Sequence, residues 1–337
     1  MSRTEDATRF LESCGWGTAE VSPLAGDASN RRYDRLHNSD GTTAVLMDAP
    51  PDKGEDVRPF IRIADWLIAQ GLSAPRIFAK DEAQGFLLIE DLGDRLFARE
   101  MVKHPEQQTP LYAAAVDALV RIQQAIPPDL ARYDAAVTVP LAGRAFDWYQ
   151  VGAGAQNKGK ELFSKLLFDI VSKFDNALDV IIQRDFHAEN LLWLPERTGV
   201  ARVGLLDFQD AMLGHRAYDL VSIIQDARRD VPAEMAEMMR QRYLDATGVD
   251  PAEFNEAYAV FGLQRNLRIL GGFARLCLRD GKAHYVDLIP RVWSYIQTNL
   301  NHPATAGLRP LLTDALPAPN DAILNELKRN CGSWSGR

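Results

Sequence analysis

Residues 180–210 read VIIQRDFHAENLLWLPERTGVARVGLLDFQD, and the fold turns on how this stretch divides. Val180-Ile181-Ile182 and Val203-Gly204-Leu205-Leu206 are short apolar runs of the kind that form buried strands. Each leads to an aspartate, Asp185 after Gln183-Arg184 and Asp207 directly. Asn190 stands five positions beyond Asp185 and opens a further apolar run, Leu191-Leu192-Trp193, while Asp207 is followed by Phe208.

This pattern has a chemical reading. Phosphoryl transfer from ATP needs a carboxylate beside the acceptor hydroxyl, oxygen ligands that hold magnesium on the phosphates, and a rigid support for both. A D-x-x-x-x-N loop followed by a strand ending in Asp-Phe supplies these parts, with Asp185 as base and Asn190 and Asp207 as metal ligands. Magnesium takes only one or two protein carboxylates and completes its shell with phosphate and water. Either half alone would read as a turn built on Asp and Asn. The two halves in this order, each behind an apolar run, predict a kinase-like catalytic segment using ATP and Mg2+.

Composition sets the frame. A chain of 337 residues with 46% hydrophobic content is long enough for two lobes with their own cores. A net charge of -8 argues against a nucleic-acid partner, which would need a basic footprint. No apolar run approaches the ~18 residues of a membrane span, and the start MSRTEDATRF lacks the apolar centre of a signal peptide. The expectation is a cytoplasmic protein without a membrane partner, its oligomeric state left open with a monomer favoured, and its three cysteines, Cys14, Cys277 and Cys331, as reduced thiols.

Working outward toward the N-terminus, a short helix within residues 1–19 precedes a strand at 21–24, the small-residue turn Ala25-Gly26-Asp27-Ala28-Ser29-Asn30, and a strand at 31–36. Gly26, Asp27, Ala28 and Ser29 are candidates to bring backbone N–H groups close to phosphate oxygens. A third strand, 43–48, carries Met47 where protein kinases place the lysine that pairs with the nucleotide phosphates. Arg31 or Arg32 is the candidate to supply that charge, since arginine grips phosphate with paired donors. Apolar residues Phe60, Ile63, Ala64, Leu67 and Ile68 predict a helix over 57–70. Strands at 76–78 and 86–89 lead to Glu90-Asp91-Leu92-Gly93, whose backbone from Glu90 to Leu92 could meet an adenine edge.

Residues 1–92 thus read as a nucleotide-binding lobe ending at a hinge, and 93–337 as a helical lobe. Helices are expected at 111–126, 145–151, 161–178, 217–221, 233–244, 251–278, 285–300 and 322–329. The fold class is α+β, a two-lobed protein-kinase-like fold with a small antiparallel sheet and a mainly helical remainder.

Four segments resemble the aminoglycoside phosphotransferase-like kinases, and among them the bacterial N-acetylmuramate/N-acetylglucosamine anomeric kinases of cell-wall recycling. They are LAGDASNRRYDRL (24–36), VLMDAPP with FLLIEDLGD (45–51, 86–94), QRDFHAENLLWL with GLLDFQDAMLGHRAYDLVSI (183–194, 204–223), and LQRNLRILGGFARLCLRDGKAHY (263–285). The last separates this group from antibiotic, choline and homoserine kinases. The resemblance implies transfer of the γ-phosphate of ATP to the anomeric hydroxyl of an N-acetylated amino sugar. It casts Asp185 as the catalytic aspartate, Asn190 and Asp207 as magnesium ligands, residues 25–29 as the phosphate loop, and Asp219 as a brace for the catalytic loop. His187 is expected to organise that loop or touch substrate, and Asp210 to lie near the sugar. Gln183 departs from the family's usual histidine, and Met47 fits the group's own VMDAPP-like pattern. An aminoglycoside- or choline-type phosphotransferase is the alternative, and a non-catalytic pseudokinase binding module the third reading.

Overall fold

The structure is a computed structural model that describes residues 2–24, 30–156 and 158–334. The chain divides into two compact units, residues 1–122 with 188–211, and residues 123–187 with 212–337.

The first unit opens with helix α1 (Arg3–Ser13), started by a capping box in which the Ser2 hydroxyl accepts from the Glu5 N–H and the Glu5 carboxylate from the Ser2 N–H. Five strands follow, β1 (Glu20–Pro23), β2 (Arg32–His37), β3 (Thr43–Asp48), β4 (Ile77–Asp81) and β5 (Phe86–Glu90). They form an antiparallel sheet in the order β1-β2-β3-β5-β4. Alternation along the strands sends Leu36, Ala44, Leu46, Phe86 and Leu88 to one face, where Ala7, Phe10 and Leu11 of α1 cover them. Each such buried aliphatic side chain contributes roughly 1.5–3 kcal/mol.

Val45, Met47, Leu87 and Ile89 therefore point to the opposite face, which explains why central β3 and β5 are apolar without alternation. Helix α2 (Arg58–Ala69) buries Phe60, Ile63, Ala64 and Leu67, the expected stripe, and the Phe60 ring lies 4.9 Å from that of Phe208. Helices α3 (Phe97–Lys103) and α4 (Gln108–Gln124, within this unit through Ile122) follow. The α3 helix carries no apolar periodicity long enough to be foreseen.

The second unit is helical around one short two-stranded antiparallel pair. Helix α5 (Ala135–Arg144), capped by Asp134, was not expected from the sequence and contains Pro140, a residue that removes a helical hydrogen bond. The short helix expected at 145–151 is a π-helical continuation of it, Ala145–Gln150. Helix α6 (Lys160–Val171) ends in 3-10 turns over Ser172–Ala177. Strand β6 (Val180–Ile182) pairs antiparallel with β9 (Met212–Gly214), while β7 (Leu191–Trp193) and β8 (Val203–Leu205) form a corresponding pair in the first unit.

Helices α7 (Ala217–Ile224), α8 (Ala233–Thr247), α9 (Pro251–Leu278) and α10 (Ile289–Asn299) follow, then α11 (Pro303–Ala306), α12 (Arg309–Ala315) and α13 (Asp321–Arg329). The 28-residue α9 is the axis of this unit, packed by α5, α7 and α10. Asp250 caps it by accepting the Ala252 and Glu253 N–H groups, with Pro251 in its first turn. A Cβ at Gly271 would lie 2.3 Å from the Arg144 carbonyl carbon, so α9 needs glycine where it presses on the end of α5. No helix among the described residues is long and apolar enough to cross a membrane.

Candidate active site

In the first unit the β7–β8 pairing sets Leu191 opposite Leu205, so the residues flanking that pair meet. Asn190 donates from Nδ2 to Oδ2 of Asp207 at 3.3 Å, and the Leu206 N–H donates to the Asn190 carbonyl at 3.0 Å. Gln209 donates to the other Asp207 oxygen at 2.7 Å. Asp207 has φ of 56°, a left-handed conformation that an L residue adopts at a cost of roughly 1–2 kcal/mol. Such strain persists where surrounding contacts over-determine it, commonly at functional sites.

Asn190 and Asp207 both line a cavity of about 680 Å3 within this unit. Val45, Ile89, Leu192 and Leu206 make its apolar walls, and Glu90 to Asp94 form part of its rim. An apolar slot with oxygen donors at one place fits a purine nucleotide and its metal. Two side-chain oxygen donors also suit a magnesium ion that draws its remaining ligands from phosphate and water. Among the described residues no group of three or more His, Cys, Asp and Glu side chains could hold a metal by itself.

The other expected nucleotide residues fall as follows. Gly26, Asp27, Ala28 and Ser29 lie outside the described residues. Glu90 uses its N–H on the Arg76 carbonyl at 2.8 Å and its carboxylate on Arg197 at 2.7 Å, so its side chain ties down local structure. Leu92 lines the cavity. Arg31 pairs with Glu55 at 2.8 Å, and Arg32, half exposed on the sheet, with Asp34 at 3.1 Å and Asp48 at 3.4 Å. Neither arginine is among the residues lining the cavity. Arg35, which the sequence did not single out, does line it, two residues along the strand from Tyr33. Its guanidinium binds Asp94 at 2.8 and 2.9 Å and Asp91 at 2.9 Å, joining β2 to the rim. Asp210 is exposed in the same unit.

In the second unit, Asp185 follows β6. The Asp219 carboxylate, wholly buried in the first turn of α7, accepts the Gln183 N–H at 2.6 Å and the Arg184 N–H at 3.0 Å. Burial pushes the Asp219 carboxyl up to about 7, against these two hydrogen bonds. Burial also pushes the Asp185 carboxyl up, but Arg268, His187, Arg265 and Arg184 outweigh it and hold the group below its ordinary value. Asp185 is thus an anion over the neutral range, as a proton acceptor must be.

His187 is buried, and its Nε2 lies 3.3 Å from Nη1 of Arg228. Arginine can only donate, so Nε2 is the acceptor and the imidazole is neutral. Burial, reinforced by Arg228, pushes its pKa down to about 4. His215 is equally a structural group, accepting the Ala217 N–H on Nδ1 at 3.2 Å and stacking on Phe261.

The model of the APH phosphotransferase enzyme family matches residues 20–256. The chain is 38% identical to an N-acetylmuramate/N-acetylglucosamine kinase of Caulobacter vibrioides, over 89% of this chain and 93% of that protein. It is 34% identical to a protein of the same name from Pseudomonas aeruginosa, over 95% of this chain and 99% of that one. Among solved structures, a choline kinase from Streptococcus pneumoniae superposes with a TM-score of 0.61 over 88% of this chain and 100% of its own, at 12% identity, a likeness of fold. With its protein-kinase-like arrangement of a five-stranded sheet followed by helices, and the family pattern matched over most of its length, the chain belongs to the phosphotransferase enzyme family.

Proposed function

We propose that this protein transfers the γ-phosphoryl group of ATP to the anomeric hydroxyl of an N-acetylated amino sugar, N-acetylmuramate or N-acetylglucosamine, giving the sugar 1-phosphate. The observation that carries this reading is the 32–38% identity, over most of the chain, to proteins named for that activity. On this reading the protein works in the cytoplasm, where ATP is available.

In this reading Asp185 accepts the proton of the sugar hydroxyl and aims its oxygen at the γ-phosphorus. The transition state of phosphoryl transfer is loose, so orientation matters more than base strength, and a carboxylate held below its usual range is adequate. Val45, Ile89, Leu192 and Leu206 sandwich the adenine, and the backbone of Leu92 meets its edge, since the Glu90 N–H is already committed. Gly26, Asp27, Ala28 and Ser29 offer backbone N–H groups to the phosphates. Asn190 and Asp207 are the side chains that would hold a magnesium ion, which would supply neutralisation of phosphate charge. His187, kept neutral, shapes the loop between Asp185 and Asn190, and Asp210 lies toward the sugar.

The test is turnover with magnesium and ATP on N-acetylmuramate, N-acetylglucosamine, kanamycin and choline side by side, with phosphorus NMR of the product. Phosphate on C1 and loss of the reducing end are expected for the amino sugars. Turnover on kanamycin or choline without turnover on either amino sugar would overturn the reading.

A further inference from the structure

Two of the arginines on helix α9, Arg265 and Arg268, act on Asp185. Nη2 of Arg268 lies 3.8 Å from Oδ1 of Asp185, within ion-pair range and beyond hydrogen-bond length. Its Nη1 donates to the Tyr218 hydroxyl at 3.0 Å. Tyr218 is wholly buried, its hydroxyl is 3.2 Å from that of Tyr133, and the two rings meet edge to face. The guanidinium is therefore steered by a buried aromatic pair on one side and presents its other nitrogen to the carboxylate. One turn further on, Gly271 packs its helix closely against the backbone of Arg144.

Other charged and titratable groups around Asp185 are in different positions to help. Arg265 is buried, and its Nη2 is used on the Ser222 hydroxyl at 2.7 Å. Arg184 lies over the Tyr133 ring. His187 is neutral and engaged with Arg228, and Asp219 from α7, its carboxyl pushed up to about 7 by burial, adds negative charge only above that pH. Arg268 stands within ion-pair range of Asp185, with Nη2 at 3.8 Å and the neighbouring Nη1 held by Tyr218.

We propose that Arg268 is a positioning residue for phosphoryl transfer, its guanidinium steered by Tyr218 and Tyr133 so that the Asp185 carboxylate stays ionised and turned toward the acceptor hydroxyl. The proposal rests on the reading of Asp185 as base. Without the cation, burial acts on Asp185 unopposed by its largest favourable charge, and the carboxyl takes up a proton more readily.

The experiment compares R268K, R268Q and Y218F with the unaltered protein and with D185N, measuring kcat and the KM for ATP at pH 6 and pH 8 on N-acetylglucosamine. R268Q is expected to lower kcat by about ten- to a hundredfold, with the KM for ATP within about twofold and a deficit several-fold larger at pH 6 than at pH 8. R268K restores most of kcat, and Y218F, which keeps the buried ring, shows a smaller loss with the same tilt toward acid. A folded R268Q with unaltered kcat, or with equal deficits at the two pH values, overturns the proposal. If R268Q does not fold, a Y218F variant with unaltered kcat and pH dependence overturns it. Turnover by D185N would instead remove the base assignment itself.

Discussion

The Asp219 carboxylate accepts the Gln183 N–H at 2.6 Å and so ties the start of α7 to the chain just ahead of Asp185. A second bond from the Arg184 N–H, at 3.0 Å, holds Arg184 in a left-handed conformation with φ of 71°. Because the brace grips backbone, the side chain at 183 is secondary to it. Replacing Asp219 by alanine leaves two buried N–H groups without their acceptor, and is expected to cost about 2–4 kcal/mol and most of kcat. Gln183→His should alter both far less. Denaturant melts and rates on the two variants decide this, and an Asp219→Ala variant of unaltered stability would refute the brace.

Asp207 separates metal binding from backbone strain. Asp207→Ala and Asp207→Gly both remove the carboxylate, so both should raise the magnesium concentration needed for half-maximal rate by at least about tenfold. Only glycine tolerates φ of 56° without cost, so the Gly variant should be the more stable by roughly 1 kcal/mol. Equal melting temperatures would contradict the strain, and unaltered magnesium dependence would remove the ligand role.

Arg35 pins the rim of the cavity to the sheet through Asp91 and Asp94. Arg35→Ala frees the 91–94 segment and leaves Asp91, 8% exposed, without its charge partner. The KM for ATP should rise about five- to twentyfold with kcat within about twofold, as expected for lost ground-state binding. A fall in kcat at constant KM would place Arg35 in the chemical step instead.

Acid stability follows from three buried groups. His187 and His215 are both pushed down to about 4 from 6.5 by burial and neighbouring arginines, and Asp219 is pushed up to about 7 from 3.8. Between about pH 4 and 6.5 the unfolded chain holds protons on both histidines and none on Asp219, whereas the native chain holds only the proton on Asp219. Unfolding thus takes up one net proton from these groups, and their contribution to stability rises with pH by about 1.4 kcal/mol per unit. His187→Asn removes one proton from the unfolded side and should flatten that contribution. Parallel stability-pH curves for the two proteins would show that His187 is not held neutral.

The strands and turns of residues 180–210 were legible in the sequence because their determinants are local. Two apolar runs, the spacing of Asp185 and Asn190, and the strand ending at Asp207 are determined by strand propensity and turn chemistry within 31 residues. The five strands, the stripe of α2 and the bounds of α9 were readable for the same reason, since burial on one face imposes a period. Tertiary structure decided what those signals do not encode. Pro140 inside a helix is tolerated because α9 packs on α5 and supplies the stability that local propensity withholds. Arg35, and not Arg31 or Arg32, lies on the cavity because β2 and β3 pair in one register and because Glu55, Asp34 and Asp48 claim the other two arginines. Arg268 comes beside Asp185 across 83 positions of chain, a distance at which only the packing of α9 against α7 and α5 can choose the neighbour.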